Sequence, residues 1–212
     1  DYGSLRMEEM WNNRLYMPDA EAARKAEAYL EEMMARKDSC GGVVECVIHG
    51  MPVGVGEPVF DKLDACLAKA MLSIGAVKGF EIGDGFEAAR SLGSANNDGF
   101  RMSRESEDQG LLFKDRIVKS SNHAGGTLGG ISDGSDIVMR AAFKPTPSIA
   151  QRQHTVTRNG EETDIEIKGR HDPIIVPRAV VVVEAMAALT AADLLLLSMT
   201  SRLDRIQEFF GR

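Results

Sequence analysis

The chain has 212 residues, 43% of them hydrophobic, which is long and apolar enough to bury a sizeable core and excludes a disordered chain. Its net charge of −7, from 25 basic and 32 acidic residues, disfavours non-specific binding to nucleic acid. Three cysteines, spaced as neither a C-x-x-C nor a zinc pattern, indicate free thiols in a reducing cytosol, and the scattered histidines indicate no metal site. The start of the chain lacks the features of a signal peptide and of a natural N-terminus, which is typical of a cytoplasmic fragment.

Helical and extended patterns alternate in the first part of the chain. Apolar residues at helical spacing predict amphipathic helices over residues 18–37 and 60–74. Runs rich in β-branched residues predict strands over 43–48 and 76–82. The Gly/Pro loop at 50–58 suggests a phosphate-binding turn, but the second half of the dinucleotide fingerprint is missing.

The middle of the chain is richer in loops. Residues 91–121 are polar and weakly patterned, which predicts a flexible insertion loop. The glycine-rich segment 122–134 is either a plain loop or a main-chain cradle for a flat or phosphorylated cofactor. A strand is predicted over 137–143, and Asn-Gly between the runs 153–158 and 162–168 predicts a hairpin.

The stretch 174–199 is apolar enough to raise the question of a membrane span, and a long apolar helix is predicted over 177–198. Arg178, Glu184 and Asp193 interrupt it, and each would be costly at bilayer depth. We therefore expect the buried central helix of a soluble protein, apolar on all sides, and no membrane partner.

Directly before this helix, residues 169–173 read Gly-Arg-His-Asp-Pro and place a cation, an imidazole and a carboxylate side by side. One interpretation is an exposed helix-entry turn with Asp172 as the cap and Pro173 near the first turn. The other is one edge of an active site, because three kinds of ionisable group against a core are rare unless they are paired or functional. The five residues alone favour the helix-entry turn.

Taken together, several tracts resemble the C-terminal part of chorismate synthase, and they occur in the family's order. The tracts are 50–61, 73–79, 81–86, 121–126, 128–132, 144–148 and 169–173. The resemblance runs from near residue 43 to near residue 198. It implies an α+β fold, a β-α-β sandwich of antiparallel sheets that enclose helices, with residues 1–212 as a single domain from the C-terminal portion of that fold.

The resemblance also implies an activity. The family converts 5-enolpyruvylshikimate 3-phosphate to chorismate by 1,4-elimination of phosphate, requires reduced FMN, draws in some hosts on NADPH as the reductant, and assembles as a homotetramer. It belongs to the shikimate pathway of aromatic amino acid biosynthesis. The alternative is that the chain is not an enzyme but a non-catalytic flavin-binding or assembly module.

Residue roles follow from the matched positions. Asp172 matches an aspartate near the flavin N5 that is proposed to act as a base, and Arg170 is expected to face both the flavin and the substrate. The positions implied to contact FMN are Gly75, Ala76, Gly129, Lys144, Pro145, Thr146, Pro147, Ser148 and Arg170. The family's two catalytic histidines and most of its substrate-binding arginines lie in its N-terminal part, which does not occur here, so we expect the chain alone to be inactive.

Overall fold

The computed structural model describes residues 5–103, 117–169 and 172–211. By its internal contacts the chain forms two compact units. Unit 1 comprises Asp1–Val44 and Ala142–Val181, and unit 2 comprises Glu45–Ala141 and Val182–Arg212. The expectation of a single domain stays a prediction.

Among the described residues, helices and strands alternate in the first part of the chain, and strands predominate between the third helix and the fourth. The helices are α1 (Ala20–Ala35), α2 (Leu63–Leu72), α3 (Gly93–Asn96), α4 (Val176–Ser198) and α5 (Leu203–Phe209), with 3-10 turns at Met7–Asn12 and Gly85–Arg90. The strands are β1 (Gly42–Ile48), β2 (Val77–Ile82), β3 (Phe100–Met102), β4 (Ile117–Lys119), β5 (Thr127–Leu128), β6 (Ile131–Ser132), β7 (Ile137–Phe143), β8 (Arg152–Val156) and β9 (Glu162–Glu166). The predictions for α1, α2, α4, β1, β2, β7 and the β8–β9 hairpin are confirmed, and so is the α+β class.

Unit 1 contains α1 and the β8–β9 hairpin. The side chain of Asp19 caps α1 by accepting hydrogen bonds from the Glu21 and Ala22 N–H groups at 2.8 and 3.0 Å. The helix buries Ala23 and Met33, and the other buried apolar residues among the described part of this unit are Val44, Phe143 and Ala179. Strands β8 and β9 pair antiparallel and are exposed along most of their length.

Unit 2 is built around β7, the middle strand of a sheet with the order β1-β7-β2. The Gly83 N–H, just after the end of β2, donates to the Val138 carbonyl near the start of β7 at 2.9 Å, so these two strands run antiparallel. Helix α2 packs against β2. Its fully buried side chains Leu63, Leu67 and Met71 form the core of the unit together with Ile137, Met139 and Val183.

The region 91–121 has more structure than its sequence pattern predicts. It holds α3, and β3 pairs antiparallel with β4 through Phe100↔Lys119 and Met102↔Ile117. The polar, weakly patterned sequence of this region does not indicate these short elements. Residues 104–116 lie outside the described residues, and flexibility of the loop stays a prediction.

Helix α4 is long and apolar enough to cross a membrane by length and composition, but only 22% of its most apolar window is buried in this chain. The buried side is a stripe of mostly small residues, namely Ala179, Val183, Ala187, Ala191, Leu194 and Ser198. Larger side chains face outward, with Leu189 66% and Leu196 65% exposed. The expectation of a helix buried on all sides is therefore wrong for this chain, because only the alanine-rich face has packing partners within it.

Candidate functional site

The segment before α4 lies in unit 1 and borders a cavity. The Cys40 N–H donates to the Pro173 carbonyl at 2.8 Å, which ties this segment to the residues preceding β1. The cavity has a volume of about 280 Å³ and its wall includes Lys37, Ser39, Gly169 and Asp172. Arg170 and His171 lie outside the described residues, so the predicted roles of Arg170 stay predictions.

Asp172 is an ion-paired residue and not a helix cap. Helix α4 begins at Val176, four positions after Asp172. One carboxylate oxygen of Asp172, Oδ2, accepts a short hydrogen bond from Nη2 of Arg178. The helix-entry interpretation, with Asp172 as the cap, is therefore wrong.

The tract 144–148 follows β7 directly and is held by hydrogen bonds from neighbouring segments of unit 1. The Ser39 hydroxyl donates to the Thr146 carbonyl at 2.6 Å, and the Gln153 side-chain amide donates to the Pro147 carbonyl at 3.0 Å. The Lys144 side chain is exposed. The Thr146 hydroxyl oxygen is buried and has no hydrogen-bond partner among the described residues. Because such a group costs free energy when it is left unpaired, Thr146 marks a place where a ligand atom would be stabilised.

In unit 2, Gly129 lies at the tip of a tight hairpin. Gly129 and Gly130 connect β5 to β6, and both have positive φ, 64° and 93°, as in a two-residue type I′ turn. The Gly130 carbonyl accepts a hydrogen bond from the Leu63 N–H at the start of α2, at 2.8 Å. A Cβ atom on Gly129 would meet no atom within 4 Å, so its exposed main chain is open to close approach by a ligand.

Gly75 and Ala76 form the corner between α2 and β2. The Val77 N–H donates to the Ile74 carbonyl at 3.2 Å, which closes a turn over the two residues. Ala76 has φ of 71°, a left-handed conformation that costs a non-glycine residue about 1 kcal/mol. The backbone strain and the open space beside Gly75 are compatible with a main-chain contact to a ligand.

The glycine-rich segment 122–134 is not a plain flexible loop at its start. The Asp98 carboxylate accepts hydrogen bonds from the N–H groups of His123 and Ala124 at 2.8 and 2.9 Å. Burial raises the pKa of Asp98, but the two main-chain donors, the Ser121 hydroxyl and the Lys119 cation together outweigh it, so the pKa lies below its ordinary value. Lys119 lies between Asp98 and Asp133, with Nζ–Oδ2 distances of 3.6 and 2.5 Å, and all three side chains are at most 5% exposed.

A histidine–carboxylate pair fixes the same segment from the other side. His123 Nδ1 lies 2.7 Å from Asp84 Oδ2, to which the Asn96 side-chain amide also donates at 3.1 Å. The Asp84 N–H donates in turn to the His123 carbonyl at 2.8 Å. These contacts make 121–126 a rigid support for the hairpin that carries Gly129.

The cysteines offer no reactive group here. All three are free thiols. Burial, and to a lesser degree the nearby Glu184 carboxylate, raises the pKa of Cys46 to about 11, so this residue is a neutral thiol at physiological pH.

Comparison with known proteins places the chain in a family. A family model described as chorismate synthase matches residues 3–196. The chain belongs to the chorismate synthase family. A chorismate synthase of Agathobacter rectalis is 60% identical over 204 residues, which is 96% of this chain and 53% of the relative. One of Lachnoclostridium phytofermentans is 58% identical over 212 residues, which is 100% of this chain and 55% of the relative.

The fold of the family agrees with the fold of this chain. A crystal structure of chorismate synthase matches with a TM-score of 0.72 at 32% identity, covering 96% of this chain and 52% of the solved one. The chain thus spans about half the length of the chorismate synthases it matches. The resemblance predicted from the sequence is confirmed, and every predicted site residue lies within the matched range.

Sequence reasoning missed residues that support the predicted site. Asp98 and Lys119 lie in the weakly patterned region, where no local pattern marks them. Arg178 had a visible signal, since a cation in the first turn of an apolar helix is unfavourable without a partner.

Proposed function

We propose that this chain forms part of a chorismate synthase, which converts 5-enolpyruvylshikimate 3-phosphate to chorismate and inorganic phosphate. The observation that carries the proposal is 60% identity to a chorismate synthase across 96% of the chain. In this reaction the C–O bond to phosphate breaks with its electron pair on the leaving group, and the C6 hydrogen is lost overall as a proton. The electron pair of the C6–H bond and the ring double bond become the two conjugated double bonds of chorismate. No net oxidation or reduction of the substrate occurs, although reduced FMN is required.

Residues of unit 1 fit a flavin. The buried, unpartnered Thr146 hydroxyl offers a hydrogen-bond donor to a polar ligand atom, and Lys144 supplies a cation for an anionic one. We assign FMN contacts in this unit to Lys144, Pro145, Thr146, Pro147, Ser148 and, from the resemblance, Arg170. When bound, reduced FMN supplies electron density to the substrate as phosphate leaves.

In unit 2 the proposed FMN contacts are Gly75, Ala76 and Gly129. Each lies at an exposed or half-exposed turn, and at both glycines the space that a side chain would fill is open. Main-chain N–H and carbonyl groups are the contacts such turns offer. A side chain at Gly129 would crowd a ligand held this way.

Asp172 is the proposed base. Its carboxylate lines the unit 1 cavity and is oriented there by its ion pair with the Arg178 guanidinium, and a carboxylate within reach of a substrate hydrogen can accept it as a proton. We further propose a cytoplasmic homotetramer, with NADPH as the source of reducing equivalents for the flavin.

The proposal is tested by Asp172→Asn in a polypeptide of the full length of the chorismate synthases that this chain matches. We expect chorismate formation to fall at least about 100-fold, because general-base catalysis contributes 10²–10⁴-fold. FMN affinity, measured by fluorescence quenching, should stay within about threefold.

The experiment distinguishes failure of the proposed function from failure of the assignment of Asp172 as the base. If the unmodified protein forms no chorismate with reduced FMN, the proposed function fails. If the unmodified protein is active and Asp172→Asn turns over normally, only the base assignment fails. Asp164→Asn is the matched control, because Asp164 lies on exposed β9 of unit 1, is also paired with an arginine, Arg152, and does not line the cavity; it should leave turnover unchanged.

A further inference from the structure

The ion pair between Arg178 and Asp172 contributes little to stability. Their side chains are 72% and 46% exposed. Ion pairs that exposed are worth at most about 1 kcal/mol, because water screens the charges and both side chains lose conformational freedom. Folding stability alone therefore gives no strong reason for this pairing.

The position of Arg178 on its helix is unfavourable without a partner. Arg178 is the third residue of α4. The aligned peptide dipoles place partial positive charge at this end of a helix, which disfavours a cation by roughly 0.3–1 kcal/mol. No other residue in the first turn is charged, so Arg178 stands alone there as a cation aimed at Asp172.

The two partners are anchored unequally. Arg178 belongs to a long helix, whereas Asp172 lies in the irregular segment that precedes it. The main chain of that segment is held by the bond from the Cys40 N–H to the Pro173 carbonyl. The Asp172 side chain still rotates about two bonds, and the guanidinium of Arg178 selects one of its orientations.

The contact leaves one oxygen of the carboxylate for chemistry. Arg178 occupies Oδ2, and no described residue donates to Oδ1. The carboxylate borders the cavity of about 280 Å³, which has room for a reactant group or several waters beside it. A base needs this combination of a fixed orientation and a free oxygen.

We propose that Arg178 is a positioning residue of the reaction, which holds the Asp172 carboxylate through Oδ2 so that Oδ1 accepts the proton. This assignment rests on the proposed function of Asp172. It predicts that loss of the guanidinium slows the chemical step and leaves binding of substrate and flavin intact.

The test uses Arg178→Gln and Arg178→Lys in the complete enzyme. We expect Arg178→Gln to lower kcat by about 10–100-fold, since a small misplacement of a catalytic group costs up to about 100-fold. KM for the substrate, Kd for FMN and Tm should stay close to their unmodified values. Arg178→Lys should regain part of kcat, because it keeps the charge but not the planar fork of donors.

The double variant separates positioning from an independent effect. If Arg178 acts only through Asp172, then Asp172→Asn with Arg178→Gln should be no slower than Asp172→Asn alone. Arg202→Gln is the matched control, because Arg202 lies directly before helix α5 and also forms an ion pair with a nearby carboxylate. That carboxylate belongs to Asp204. It should leave kcat unchanged.

Three results would overturn the proposal. They are an Arg178→Gln enzyme with kcat within twofold of normal, a loss of kcat matched by an equal loss of FMN affinity, and losses that multiply in the double variant. If Arg178→Gln does not fold, Arg178→Lys decides alone, and unchanged kcat in that variant overturns the assignment. In each case an active unmodified enzyme and an inactive Asp172→Asn variant show that the proposed function itself stands.

Discussion

Replacing Lys119 by Met should strongly destabilise the protein. Lys119 lies between the carboxylates of Asp98 and Asp133, and all three side chains are at most 5% exposed. Methionine has a similar length and no charge, so the variant leaves two buried carboxylates without their shared cation. Breaking a buried ion pair in this way costs about 3–5 kcal/mol.

This loss of folding stability corresponds to a measurable fall in Tm. One kcal/mol corresponds to roughly 2–4 °C for a chain of this size, so we expect Tm to fall by at least about 6 °C in differential scanning calorimetry. Lys25→Met is the matched control, because Lys25 pairs with Glu21 on the exposed face of α1, where the side chains are 75% and 67% exposed. That variant should change stability by less than about 0.5 kcal/mol.

A second substitution checks the cause of the loss. If uncompensated charge is responsible, Asp133→Asn added to Lys119→Met should recover part of the lost Tm, since it removes one of the two carboxylates. A Lys119→Met variant as stable as Lys25→Met would refute the reasoning, and so would a double variant that is less stable than Lys119→Met alone.

Three further predictions concern acid stability, a tight turn and anion recognition. The pKa of Asp98 is lower in the folded state than its ordinary value of 3.8. The ionised Asp98 carboxylate therefore stabilises the fold fully above that pH, and this stabilisation is lost as the pH falls below it. Acid unfolding followed by circular dichroism checks this loss. Gly83→Ala should cost roughly 2–3 kcal/mol in urea unfolding, because φ is 55° and the added Cβ would overlap the His123 carbonyl, whereas Gly160→Ala, with open space, should cost about 1 kcal/mol. Arg170→Lys should weaken binding of substrate or FMN, and unchanged affinity for both would contradict its assignment.

The elements that the sequence predicts well are those set by local pattern. The alternating runs around Asn159 and Gly160 specify the β8–β9 hairpin, and the apolar run 137–143 coincides with β7. Both depend on neighbours within a few positions.

The parts that the sequence does not predict depend on distant contacts. Asp98, Lys119 and Asp133 come from three separate segments and meet only in the folded unit, so no window of sequence shows the cluster. The prediction that α4 is buried on all sides is wrong for a related reason. Its residues are mostly apolar with no clearly polar face, and only the folded structure shows that Ala187 faces inward while Leu189 faces outward.

The division of the chain into two units has a consequence for folding. Each unit is assembled from two stretches of chain, because the polypeptide leaves unit 1 after Val44, returns at Ala142, and leaves it again after Val181. Neither unit can therefore complete its core while the ribosome has delivered only the first stretch. Contacts between residues so far apart in sequence must overcome loop-closure entropy before they add stability. We expect slow refolding, and a nascent chain in which the core of unit 2 stays incomplete until residues 182–212 have been synthesised.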